Sequence, residues 1–283
     1  MKYVFGPVYS WRLGVSLGID PISVAERAEI TGAVIRKSFA FKDKVYNEIL
    51  SRKTCNFDCI YCQLGRTHYM SIQRKEFVSV RAVLDEISCL PEMEDIDYYT
   101  FSGAGEPCLA SNLGDMIAGL RPIVGKAKIA VITNSSLLHR PDVQEDLLLS
   151  DIVLAKLDAC SQELMQVVNN PADNINFESI VDGIAAFKSK FQGRLALQIM
   201  FVDENKKYAS AISDIARRIN PDEVQLNTPL RPSGVSPLLK AEMDEIKLFF
   251  KDMNVVSVYD VKKRKIKALS VDATERRHGV MRE

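Results

Sequence analysis

Charge of either sign is in no excess. Lys plus Arg number 37 and Asp plus Glu number 37, so the formal net charge is zero. The balance offers no overall argument for a polyanionic partner, although a local basic patch stays open. Long apolar runs are missing as well. No stretch reaches the ~18 residues of a membrane helix. The opening MKYVFGPVYSWRLGVSLG has neither the apolar core nor the small-residue cleavage site of a secretory leader. A cytoplasmic protein with reduced thiols and no membrane contact is expected. There is no internal repeat and no low-complexity tract. Cysteine is scarce, with six in 283 residues and none before position 55.

What is present is an ordinary soluble balance, 47% hydrophobic and 26% charged, in a chain long enough to bury a core without staples. From about residue 77, short apolar runs alternate with helix-patterned segments. Strands are expected at 96–103, 127–135, 151–159, 194–203 and 223–229, with SLGID (16–20) as a first member of the series. Helices are expected at 79–90, 111–124, 141–150, 175–190 and 206–219, with starts at Ser79, Ser111 and Pro141–Asp142. Repeated strand–helix units imply parallel strands with right-handed crossovers, an α/β fold built as a partial (β/α)6 barrel of the TIM type. Polar residues gather at the strand ends, where such a barrel carries its site. Residues 24–53 break the pattern and read as a helical insertion. Residues 254–283 read as a C-terminal extension of a single domain covering 1–283.

Three of the six cysteines fall in CNFDCIYC (55–62), spaced C-x3-C-x2-C. In a reducing compartment such a cluster binds metal or does chemistry. A cubane iron–sulfur cluster is usually held by four thiolates. Three leave one iron open to an exogenous ligand, much as catalytic zinc keeps an open position. The alternatives are a zinc site of Cys55, Cys59, Cys62 and His68, whose spacing fits none of the usual zinc modules, and unliganded thiols.

With Tyr61 in the aromatic slot, CNFDCIYC resembles the cluster motif of the radical S-adenosylmethionine (radical SAM) superfamily. The resemblance implies a [4Fe-4S] cluster on Cys55, Cys59 and Cys62. It implies an open iron chelated by SAM, and reductive cleavage to methionine and a 5′-deoxyadenosyl radical that abstracts hydrogen from a substrate. SGAGEP (102–107) resembles the family's Gly-Gly-Glu-Pro motif, with Ala104 at the first Gly of that motif and Gly103 one step earlier. There Gly103, Gly105 and Glu106 would receive the SAM ammonium. By position, Asn134 and Ser136 resemble contacts to the SAM carboxylate or ribose, and Lys156 with Asp158 a charged pair with the same role. Gln198, Met200 and Val202 fall on the strand that carries adenine-side contacts, and Asn227 would line adenine or substrate.

FGPVYSWRLGVSLGID (5–20), CNFDCIYCQLGRT (55–67), TFSGAGEP (100–107) and QLNTPLRP (225–232) together resemble a subgroup related to the tRNA wyosine-base (4-demethylwyosine) synthases. That relation implies a tRNA base as substrate. A protein or peptide is the alternative, as for a glycyl-radical activase, because a partial barrel leaves an open side; a small metabolite is a third. A non-catalytic iron–sulfur binding protein is a fourth reading. A reductant protein of flavodoxin or ferredoxin type is the implied partner. The wyosine enzymes carry a second cluster on N-terminal cysteines, which this chain lacks. They also use a lysine; Lys37, Lys42, Lys44 and Lys53 stand in the insertion with nothing to single one out. Cys108 follows the Glu-Pro pair at the expected mouth. The basic stretch 261–279 could meet phosphate.

Overall fold

β1 (Val4–Ser10) turns back into β2 (Gly14–Ile19) as an antiparallel hairpin. The computed structural model describes residues 1–22, 53–91, 93, 95–261 and 266–278, and the backbone of 36–41 and 44–49. β3 (Arg36–Phe41) and β4 (Lys44–Ile49) form a second antiparallel hairpin, with Phe39 opposite Tyr46 and Ala40 opposite Val45. This corrects the helical insertion expected at 24–53. Aromatic and β-branched residues alternate there and suit a pleated pair better than a helix. The rest of that expectation lies outside the described residues.

β5 (Thr54–Cys55) and β6 (Tyr69–Met70) make a short parallel pair around the cysteine loop. The main sheet runs from β2 through β7 (Tyr98–Phe101), β8 (Lys128–Thr133), β9 (Ile152–Lys156), β10 (Arg194–Met200), β11 (Glu223–Asn227) and β12 (Val255–Ser257). All its pairings beyond β1–β2 are parallel. The eight-stranded sheet curls into a half-barrel, as the alternating pattern predicts.

The helices are α1 (Val80–Ser88), α2 (Leu113–Leu120), α3 (Pro141–Leu147), α4 (Gln162–Asn169), α5 (Phe177–Lys190), α6 (Ala209–Ile219), α7 (Lys240–Lys247) and α8 (Val271–His278). Ser79 caps α1 by accepting from Ala82 N, and Pro141 opens α3. Ser111 is not the cap of α2; Asn112 occupies that position and spends its amide on Val78 O instead. α4 was not expected from the sequence. Ser161 caps it, accepting from Leu164 N at 3.2 Å.

Side chains alternate between the two faces of each strand, and on the central strands both faces are buried. On β10, Leu195, Leu197 and Ile199 pack into the core shared with the helices, while Ala196 packs with Leu13 inside the curl. Gln198 and Met200 share the Ala196 face. The inner face is apolar at its floor and polar one layer above, where Lys156 and Gln198 pair in register, and that polar layer borders the site.

Candidate cluster and cofactor site

The cysteine loop is pinned at both ends by backbone. Thr54 N donates to Ala104 O at 3.0 Å and Glu106 N to Thr54 O at 3.2 Å, so β5 lies against the SGAGEP segment. Gly105 makes this approach possible: a Cβ there would lie 1.7 Å from Thr54 O. Past Cys55 the loop docks on the end of α4, with Asp58 N on Asn169 O and Ile60 N on Val168 O, both at 3.0 Å. Asp58 closes the loop from within, accepting from Thr67 N at 2.7 Å and pairing with Arg66 at 2.7 Å.

Donors converge on the sulfurs. Phe57 N lies 3.4 Å from Cys55 Sγ, Asn134 Nδ2 3.7 Å from Cys55 Sγ, and Asn169 Nδ2 3.4 Å from Cys59 Sγ. Burial pushes the Cys55 thiol up to about 12 and Cys59 upward too. Lys53 is buried beside them, its Nζ 3.3 Å from Gly65 O. Burial pulls its ammonium down, but the charges of Cys62, Cys55 and Cys59 outweigh this and raise it.

Among the described residues no three His, Cys, Asp or Glu side chains gather around one ion. A cubane does not require that, because each thiolate takes a separate iron. Three thiols on one loop, donors aimed at sulfur and a buried cation to offset anionic charge fit such a cluster.

A second layer ties the loop to the end of β8. Glu106 is buried and accepts from Thr133 Oγ1 at 2.6 Å, Asn134 N at 2.7 Å and Cys108 N at 3.1 Å. Burial raises its carboxyl, and these donors work against the rise. Asn134 donates to Asn56 Oδ1 at 2.6 Å, and Asn56 donates to Ser136 Oγ at 2.7 Å. Ser136 Oγ returns a bond to Asn134 Oδ1 at 2.6 Å. Between them Ser135 holds a left-handed backbone, φ 70°, with a buried hydroxyl that lacks a partner. Gly103, also at positive φ (139°), leaves room for Asp20, whose Cγ would sit 2.5 Å from a Cβ there.

A third layer joins Tyr61 to β9. Its hydroxyl donates to Asp158 Oδ2 in a short bond. Asp158 also accepts from Asn169 Nδ2 at 2.9 Å and Met200 N at 2.7 Å. Lys156 Nζ stands 3.7 Å from Asp158 and 4.8 Å from the centre of the Tyr61 ring.

The structure thus gathers Cys55, Glu106, Asn134 and Ser136 into one network and Cys59, Lys156 and Asp158 into another, bridged by Asn169 and Tyr61. Asn227 pairs in register with Met200, its Oδ1 taken by Thr228 N at 2.9 Å. Cys108 is not at the mouth. It is fully buried behind Glu106, with Sγ 3.4 Å from Thr133 Oγ1. The basic C-terminal stretch is partly committed inward. Arg277 is buried in an ion pair with Asp20 at 2.9 Å, and Lys262 to Lys265 lie outside the described residues. Sequence reasoning missed Asn56, Asn169 and the importance of Lys53. For Lys53 a signal existed, its place two residues before Cys55; Asn169 had none, because its role depends on where α4 docks.

A sequence model of the Radical SAM superfamily matches residues 50–214. The UPF0026 protein slr1464 of Synechocystis is 36% identical over 230 residues, 81% of this chain and 76% of its own length. Among solved structures, SuiB of Streptococcus suis bound to S-adenosylmethionine superposes with a TM-score of 0.55 at 11% identity. The match covers 73% of this chain and 48% of that one, so this chain spans about half its length. Archaeal TYW1 gives 0.50 at 14% identity, covering 65% and 67%.

Proposed function

Because this chain belongs to the radical SAM superfamily, and so is an enzyme of that class with SAM and a [4Fe-4S] cluster as its cofactors, we propose that a single cluster on Cys55, Cys59 and Cys62 is its reaction centre. The observation that carries this is the loop itself: three thiols with N–H donors aimed at two of them and a buried lysine beside them. When bound, the cluster and SAM supply reductive cleavage of the sulfonium to methionine and a 5′-deoxyadenosyl radical that takes hydrogen from the substrate.

The chain's own residues hold and orient. Gly103 and Gly105 let backbone carbonyls approach the SAM ammonium. Glu106, filled by its three donors, sets the shape of that segment and adds negative charge behind it. Asn134 and Ser136 hold the β8 end, and Lys156 meets the SAM carboxylate. Asp158 steadies Tyr61 and the Met200 backbone on the ribose and adenine side, and Asn227 lines the far edge. Thr133, Asn56 and Asn169 keep these groups in place through hydrogen bonds to Glu106, to Asn134 and Ser136, and to Asp158.

A tRNA base is the substrate favoured by the motif resemblance to wyosine-base synthases; the zero net charge and the inward commitment of Arg277 limit the basic surface available for it. A protein or peptide is the alternative, served by the open side of a half-barrel. A cytoplasmic flavodoxin- or ferredoxin-type protein delivers the electron. Among the described residues no helix is long and apolar enough to cross a membrane.

The test is anaerobic reconstitution with iron and sulfide, reduction, addition of SAM and quantification of 5′-deoxyadenosine. About four irons per chain and product formation lost in Cys59→Ala are expected. Zinc in place of iron after air-free purification, or equal product from the Cys59→Ala protein, would overturn the reading.

A further inference from the structure

Two arginines and a histidine lie within electrostatic reach of one another, and among the described residues no carboxylate pairs with them. Arg12 lies in the β1–β2 turn. Its neighbour Leu13 plugs the barrel floor against Ala130, Ile152, Leu154 and Ala196. One layer higher on the same strand faces stand Lys156, Gln198 and Gln225, side by side in register. Arg231 arrives from the segment after β11 and donates through Nη1 to Gln63 Oε1 at 3.0 Å. Gln63 follows Cys62 directly, so this arginine borders the cluster loop. His278 closes from the last turn of α8, its ring tilted against Phe5 at 6.3 Å.

The three are near enough to feel one another. After burial itself, Arg231 and then Arg12 oppose protonation of His278, and Arg12 opposes the charge on Arg231. Arg12 Nε and His278 Nδ1 are sealed from solvent without a hydrogen-bond partner, and so are Gln198 Nε2 and Gln225 Oε1. The carboxylates nearest in register are spent elsewhere. Glu223 accepts from Gln225 at 2.6 Å and pairs with Arg194 at 3.5 Å, and Asp158 holds Tyr61 and Asn169. Like charges brought together without a counter-ion are unfavourable, and a ligand of opposite charge reverses the balance.

We infer that Arg12, Arg231 and His278 form a substrate subsite that takes an oxyanion, a carboxylate or a phosphate group. Guanidinium forks match either group bidentately. As a substrate subsite it rests on the radical SAM reading, and it would anchor the substrate's anionic end beside the cluster loop.

Trp11 is the sole tryptophan, and the Arg12 guanidinium lies 5.6 Å from its ring centre. Its fluorescence therefore reports the site. The cluster-loaded protein is titrated anaerobically, without SAM or reductant and at constant ionic strength, with inorganic phosphate in one arm and malonate in the other. Saturable binding in either arm, at least tenfold weaker in Arg231→Gln, supports the subsite, and the responding arm names the group. A response linear in concentration in both arms, or saturable binding unchanged in Arg231→Gln, overturns it. Circular dichroism checks the fold. Should Arg231→Gln unfold, Arg12→Lys, which removes the fork and keeps the charge, is read by calorimetry for the same tenfold loss. Anion binding in a protein that never cleaves SAM sinks the enzymatic reading alone; SAM cleavage without anion binding sinks the subsite alone.

Discussion

Gly105→Ala puts the largest demand on the smallest change. The added Cβ would lie 1.7 Å from Thr54 O and 2.8 Å from Thr54 C. Both are backbone atoms, so no side chain can turn aside and β5 must move. Two hydrogen bonds cross that contact, Thr54 N to Ala104 O and Glu106 N to Thr54 O. At about 0.5–1.5 kcal/mol net for each, losing both costs about 1–3 kcal/mol. For a domain of this size one kcal/mol is worth ~2–4 °C, so Tm should fall by roughly 2–12 °C. Because Thr54 precedes Cys55, iron loading should fall with it. Scanning calorimetry and iron content per chain, measured anaerobically on both proteins, give the two readouts. A Gly105→Ala protein with wild-type Tm and wild-type iron would refute the close approach and the role assigned to this glycine.

Other perturbations test other layers. Arg277→Met strips Asp20 of its buried partner, the two side chains being 4% and 0% exposed; a loss of about 3–5 kcal/mol is expected in urea unfolding, with part regained in the Asp20→Asn, Arg277→Met double variant. Lys53→Met removes a cation facing all three cysteines; a unit charge several ångströms away at an effective dielectric of about 20 is worth about 2 kcal/mol, so the cluster's midpoint potential, titrated by EPR, should fall, and an unchanged potential places the charge too far away to matter. Asp142 is held well below the usual carboxylate range by Arg140, against burial and with help from Arg74. A depressed carboxyl contributes stability above its unfolded value near pH 4 that is lost as pH falls toward the folded value. Asp142→Asn should therefore flatten the acid limb of a plot of urea midpoint against pH; an identical slope in both proteins counts against the Arg140–Asp142–Arg74 pairing.

Much of the barrel was readable because its signal is local. The strands at 127–135, 151–159 and 194–203 are apolar runs that only a buried sheet can use, and the observed β8, β9 and β10 fall within them. The hairpin at 36–49 was misread because a short amphipathic run with mixed charge satisfies a helical period nearly as well as a strand period; cross-strand pairing decides between them, and a partner strand is invisible to periodicity. α4 was missed because it is only eight residues long and Val167 puts an apolar residue on its exposed side, which blurs the helical period, and its cap at Ser161 gains meaning only once the helix docks.

The sequence by itself determined the three-cysteine loop proposed to hold the cluster, because thiols at separations of four and three residues need no distant chain segment to come together. It also determined Gly105, which lets β5 and the SGAGEP segment touch, since the absence of a side chain is a property of the residue. Tertiary structure alone decided what surrounds them. Asn169 reaches both Cys59 and Asp158, Tyr61 locks the motif to β9, and Arg277 returns from the C-terminal helix to Asp20. Each of those contacts joins residues held together by strand order and helix docking, and hydrogen bonds of about 3 Å depend on that placement, which no spacing along the chain encodes.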